Sequence, residues 1–157
     1  MTLYLRNIRD AISGVILSVL PDYAAGGVWM TTHVTRVPEE KLKSPMAVIE
    51  LDSAVSDEAG EWGIANTCYL LSPVLYVVKK QTWDGMEIAE DLEILRDTFA
   101  ARGMLASNGV NVAQILSVGN MEWGEGLEAN QFLDTKNSSL RAGAITLNLQ
   151  IGEPLNG

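Results

Sequence analysis

At 157 residues, with 47% hydrophobic and 20% charged side chains, the chain is long enough to bury a core of its own and lies outside the regime of disordered sequences. Twenty acidic against eleven basic side chains leave a formal charge of −9, the wrong sign for a protein that holds nucleic acid by neutralising phosphates. The single cysteine, Cys68, excludes an intrachain disulfide; it stands in an apolar run where a small thiol packs well, as suits a reducing cytoplasm or a disulfide-free particle.

Leu5, Ile8, Ile12, Val15 or Ile16, and Val19 recur at intervals of three and four, the spacing of one face of an amphipathic helix that Pro21 ends. Arg6 and Arg9 ahead of the stretch from Ala11 to Leu20 resemble a secretory leader. Asp10 breaks that junction, however, and the helical spacing begins before the apolar stretch does. The stretch is also shorter than the roughly 20 apolar residues a membrane span needs, so the expectation is a soluble protein without membrane contact. Gly26 and Gly27 open an extended segment from Val28 to Val37, with Val28, Met30, Thr32, Val34 and Arg36 on one face. Met46 to Leu51, between Pro45 and Asp52, has the form of a buried strand.

The segment from Asp52 to Gly63 combines acidic residues with glycines, as an exposed loop or hairpin tip does. Thr67 to Val78 turns apolar again, and Pro73 within it marks an edge or a bulge. Asp84 with Glu87 three residues later has the form of a helix N-cap. Ile88, Leu92, Leu95 and Phe99 then predict a helix near Met86 to Arg102, with Gly103 as its left-handed cap. Val112 to Val118 reads as a strand, and Leu147, Leu149 and Ile151 alternate with Thr146, Asn148 and Gln150 as a strand with one buried face. Because only one helix falls between strands, the expected class is α+β: one domain over residues 1–157, a mainly antiparallel sheet of four to five strands, and two helices on one of its faces.

The chemistry-bearing residues are sparse. His33 is the only histidine, which excludes histidine clusters for metals, and the reading as a hydrogen-bonded strand residue outweighs a catalytic one. Neither a G-x-S-x-G turn nor a phosphate-binding glycine loop occurs. The pairs Asp57–Glu58 and Glu122–Glu125 lie among glycines, where solvated charge is the simpler role than acid–base work. No enzymatic activity, catalytic residue, metal or cofactor is expected. Trp62 and Trp123, large aromatics in loops, are either anchors for a partner or fold back over their own core.

The order of elements resembles the tail terminator, or tail completion, family of long-tailed bacteriophages. The residues that carry this are Leu5-Arg6-Asn7-Ile8-Arg9 in the first helix, the central helix ending Leu95-Arg96-Asp97-Thr98-Phe99, and the strand Ile115-Leu116-Ser117-Val118-Gly119. They continue in the loop from Trp123 to Phe132 and the closing Ser139-Leu140-Arg141-Ala142-Gly143. The resemblance implies a homo-oligomeric, hexameric ring in the virion, assembled in the bacterial host cytoplasm, that caps the tail tube, stops its polymerisation and offers a surface for head–tail joining. Its partners would be copies of itself, the tail tube protein and neck or head-completion proteins, with DNA passing through unheld. On that view Asp57, Glu58 and Glu61, or Glu122, Glu125 and Glu128, line the lumen, where an acidic wall keeps DNA mobile; the simpler alternative is that they solvate the outer surface. Another neck or adaptor protein, and a small α+β enzyme or ligand-binding domain, are the competing readings.

Overall fold

The computed structural model describes residues 5–57, 68–80, 86–136 and 139–152. The first helix, α1 (Leu5–Val19), buries Ile8, Ala11, Ile12, Val15 and Ile16, the middle of the face its spacing predicts, while Leu5 at one end is exposed and Val19 at the other is half-buried. It stops short of Pro21, which opens a one-turn 3-10 helix, Pro21–Ala24. The central helix α2 (Met86–Ala101) buries Ile88, Leu92, Leu95 and Phe99 as expected. The N-cap expected at Asp84 lies outside the described residues. Gly103 does not adopt the left-handed conformation expected of it. Its carbonyl instead accepts a hydrogen bond from Ile115 N (3.0 Å), so the chain passes directly from helix into sheet.

All the strands belong to one sheet: β1 (Val28–Thr31), β2 (Met46–Glu50), β3 (Val55–Asp57), β4 (Cys68–Leu71), β5 (Val74–Lys80), β6 (Met104–Ser107), β7 (Val110–Glu122) and β8 (Leu140–Gly152). The class is α+β, but the sheet is larger than the expected four to five strands, and it is mixed because β1 runs parallel to β2. β8 is its centre: β5 and β4 follow one another along one edge of it, and β7 lies along the other. Between β4 and β5, the Pro73 carbonyl still accepts from Leu147 N (2.9 Å), while its own nitrogen has no hydrogen to return. Pro73 thus interrupts a strand in the sheet's interior and marks no edge. β6 and β7 form a hairpin over Asn108–Gly109, both at positive φ (53° and 79°), the two-residue turn that suits the strands' twist. Two register shifts in β7, at Ile115/Ser117 and Val118/Met121, add local twist against β8.

The sheet has two dissimilar faces. On the first, α1 and α2 pack on Ala47, Ile49, Leu75, Val77, Ile145, Leu147 and Leu149. α2 comes so close to β8 that a Cβ on Gly143 would stand 2.5 Å from Ile88 Cγ2 and 2.6 Å from Leu92 Cδ1. The second face was expected to carry no helix. A third helix, α3 (Glu128–Thr135), in fact covers part of it, placing Ala129 and Leu133 among Met46, Val48, Tyr76, Val78, Ala142 and Ala144. Val34 and Val37 join that second core because the expected strand from Val28 to Val37 ends at Thr31. His33 Nδ1 accepts from Thr35 N (3.3 Å) and Val34 N donates to Glu50 Oε2 (2.7 Å), which turns the chain into the 3-10 helix Val34–Arg36. No helix among the described residues is long and apolar enough to cross a membrane.

Candidate functional site

Among the described residues α3 covers only part of the second face, and a groove runs beside it near the point where β7 leaves β8. The last β7–β8 pair is Glu122 with Ala144, after which the chain turns away at Trp123. Asn130 of α3 then takes the place of the next strand residue. Its Oδ1 accepts from Ala142 N (2.7 Å), and its Nδ2 donates to Ala142 O (3.0 Å) and to Gly124 O (2.9 Å). Asn130 is 1% exposed, so its two bonds to Ala142 are shielded from water, and the three together fix both α3 and the turn preceding it.

Beside α3 this leaves a groove of about 390 Å³, with Val74, Tyr76, Thr146 and Asn148 among its floor residues and Glu122 and Leu127 on its walls. Further along the floor Ser72 Oγ, Asn148 and Ser117 Oγ form a hydrogen-bonded row, at 3.0 and 2.8 Å. The Tyr76 phenol is pushed up to about 12, first by burial and then by the negative charges of Glu50, Glu128 and Glu122. It therefore stays neutral near pH 7 and serves there as a packed, polar-tipped ring. Glu128 reaches His33 Nε2 at 3.3 Å and so ties α3 to the 3-10 turn across the second core.

Of the residues singled out in the sequence, Trp123, Glu122, Glu125 and Glu128 come together at the N-terminal end of α3. All are exposed, Trp123 to 47%. Trp62, Glu58 and Glu61 lie outside the described residues. Asp57 ends β3, and its side chain is likewise outside the description.

Sequence reasoning missed a second surface at the opposite end of α3. A cavity of about 390 Å³ opens there between Leu42 and Leu140, rimmed by Lys43 and Lys136, with Glu39 also on its lining. Lys80 lies across the ladder from Leu140. Lys43 and Lys136 are the two cationic side chains on the cavity's lining. They stand 93 positions apart in the chain (136 − 43), so no local charge run announces them.

A third polar group is turned inward. Tyr23 OH donates to Asp91 Oδ2 (2.5 Å), Lys79 Nζ approaches the same oxygen at 2.8 Å, and the ammonium lies 5.6 Å from the centre of the Tyr23 ring. Burial, followed by the Asp91 carboxylate, raises the Tyr23 phenol well above its ordinary value. The group bolts the 3-10 turn Pro21–Ala24, α2 and β5 together through the one oxygen, Asp91 Oδ2.

No protein-family model matches the chain, and no curated protein sequence does. Among solved structures it resembles a chain in the virion of a native gene transfer agent particle, with a TM-score of 0.51 at 9% identity over 95% of this chain and 97% of that one. At this identity the likeness is one of fold, and it runs end to end.

Proposed function

We propose that this chain is a structural virion protein that assembles with copies of itself into a ring of the tail terminator type. What carries the proposal is the end-to-end likeness to a chain of a virion particle: two chains of matching length share one α+β fold with almost nothing left over on either side. Three of the stretches on which the sequence resembles tail terminators fall in the helices and the strand where the sequence reading put them. Leu5 to Arg9 open α1, Leu95 to Phe99 close α2, and Ile115 to Gly119 lie in β7. Trp123 to Phe132 span the turn into α3 and its first five residues, and Leu140 to Gly143 open β8. As a ring of six subunits, in the manner of tail terminators, the protein caps the tail tube, halts its growth and presents its other side for head joining; it works by packing and surface complementarity without catalysis or cofactor. Its charge of −9 suits a passage through which DNA slides without being gripped.

The test is native mass measurement and electron microscopy of the purified protein, together with inspection of particles made without it. A closed ring, and tails of uncontrolled length when it is missing, are the expected results. A protein that stays monomeric, with tails of normal length in its absence, would refute the reading. Tails of normal length left unjoined to heads would point to a neck or adaptor role.

A further inference from the structure

The two ends of α3 carry complementary surfaces. At its N-terminal end the sequence Glu122-Trp123-Gly124-Glu125 presents an indole 47% exposed and flanked by two exposed carboxylates. The turn that carries it is held firmly: Leu127 N donates to Gly124 O (3.1 Å), Asn130 Nδ2 to the same oxygen (2.9 Å), and Gln131 Nε2 to Gly126 O (3.5 Å). A large aromatic on a preorganised turn pays little ordering cost on binding. At the C-terminal end is the cavity of about 390 Å³ with apolar walls at Leu42 and Leu140 and ammonium groups at Lys43 and Lys136. Among the described residues neither lysine makes an ion pair; Lys136 Nζ stands 5.7 Å from the Phe132 ring centre, a posture from which it can also meet an indole face.

We infer that the Glu122–Glu125 turn of one copy docks into the Lys43–Lys136 cavity of the next, with Trp123 seated between the leucines and the glutamates facing the lysines. This rests on the self-assembly reading above and names the contact that performs it. The charges fit: an indole with negative flanks meets a cavity where Leu42 and Leu140 offer apolar contact, Ser44 and Ser139 offer hydroxyls, and Lys43 and Lys136 are positive, with Glu39 the one opposing charge. The two surfaces cannot satisfy each other within one molecule. The eight residues of α3, roughly 12 Å of helix, separate them, and Trp123 is not among the residues lining its own cavity. Every copy therefore has a knob and a hole facing different neighbours, the head-to-tail contact that generates rings when its rotation closes. Glu122 and Glu125 thereby become contact residues between subunits and not the wall of a lumen.

The experiment uses two charge-reversed variants, Glu122→Lys with Glu125→Lys, and Lys43→Glu with Lys136→Glu, each checked by circular dichroism and melting temperature for an intact fold. Each variant alone brings like charges together and should lose assembly in native mass measurement. Mixed in equal amounts, the two have matched knobs and holes in alternation and should recover an assembly of the wild-type subunit number. Trp123→Ala, which leaves all charges in place, should weaken subunit association about 30-fold, and Trp123→Phe distinctly less. The docking is overturned if the wild type assembles and the reversed variants assemble equally well alone, if their mixture fails to recover, or if Trp123→Ala associates as the wild type does. In those cases self-assembly stands on some other surface. A wild type that remains monomeric at every concentration reached overturns both the docking and the self-assembly on which it rests.

Discussion

Replacing Asn130 by alanine removes the side chain that stands in for a strand neighbour of Ala142. Three hydrogen bonds go with it, and their worth depends on what is left behind. Ala142 is fully buried, so its N–H and C=O lose their partner at Asn130 and gain no water, at about 1–3 kcal/mol for each group. Gly124 is exposed, and water can replace the third bond at little cost. Alanine is the better helix former, which returns up to about 0.7 kcal/mol. The expected loss is about 2–5 kcal/mol, a large share of the 5–15 kcal/mol typical of a domain, measured by urea unfolding followed by circular dichroism.

Asn130→Asp sharpens the test because it conserves shape. The carboxylate can still accept from Ala142 N, but its second oxygen faces two carbonyl oxygens where an N–H₂ group used to donate. The folded state therefore favours the protonated carboxyl and raises its pKa above the unfolded value of about 3.9. Its deficit should be small below that value and grow as pH rises toward neutrality, the sign required when the unfolded state gives up its proton first. A loss under about 1 kcal/mol for Asn130→Ala, or a deficit for Asn130→Asp that is the same at pH 4 and pH 7, would refute the role assigned to this residue.

Leu95, fully buried under α2, should cost about 2–5 kcal/mol when cut to alanine, and a change near zero in the unfolding midpoint would mean that the helix face is misassigned. Gly143→Ala forces a methyl group into Ile88 and Leu92 and should cost about 1–3 kcal/mol, whereas Gly103→Ala, which meets no atom within 4 Å and has no left-handed φ to strain, should be near neutral in the same assay. In alkali the raised phenols of Tyr76 and Tyr23 penalise the fold: their contribution is intact below about pH 10 and is lost as pH climbs, through about 12 for Tyr76. Tyr76→Phe should therefore flatten the fall of melting temperature above pH 10, and an unchanged profile would contradict the cause given. His33→Ala and Cys68→Ala, where folded, should keep the oligomeric mass of the wild type, because neither residue is assigned a chemical role.

The readily legible parts of the fold were those in which one face alone is buried. The spacing in α1 and α2 and the alternation from Thr146 to Ile151 each carry a period, and each lies where that period places it. What escaped had its signal in turn chemistry or in partners distant along the chain. Asn108-Gly109 is a strong hairpin signal, yet only its second strand was read. The eight-residue α3 is too short to display a period and has no side-chain cap at Leu127. His33 ended a strand that the pattern alone would have continued, because its bond to Thr35 and the Val34–Glu50 bond offered the backbone another course. The exposed Trp123 and its glutamates were visible in the sequence as a group. The Lys43–Lys136 cavity was not, since nothing local connects residues that only β2, β8 and α3 bring together.

The central position of β8 has a consequence for how the chain comes into being. β8 follows every other strand in the sequence, yet it is the element that joins β4 and β5 to β7. On a ribosome adding roughly 5–20 residues per second, the antiparallel β2–β5 pair and the β6–β7 hairpin must wait as separate ribbons, each with one edge unpaired, until residues 140–152 emerge between them. Assembly is thereby timed by translation: the second-face core cannot close before β8 brings Leu140, Ala142 and Ala144, and the turn bearing Trp123 cannot be locked before Ala142 arrives to meet Asn130. A nascent chain is thus kept from offering its knob to a neighbour until its own sheet is complete, which orders folding ahead of association without any separate control.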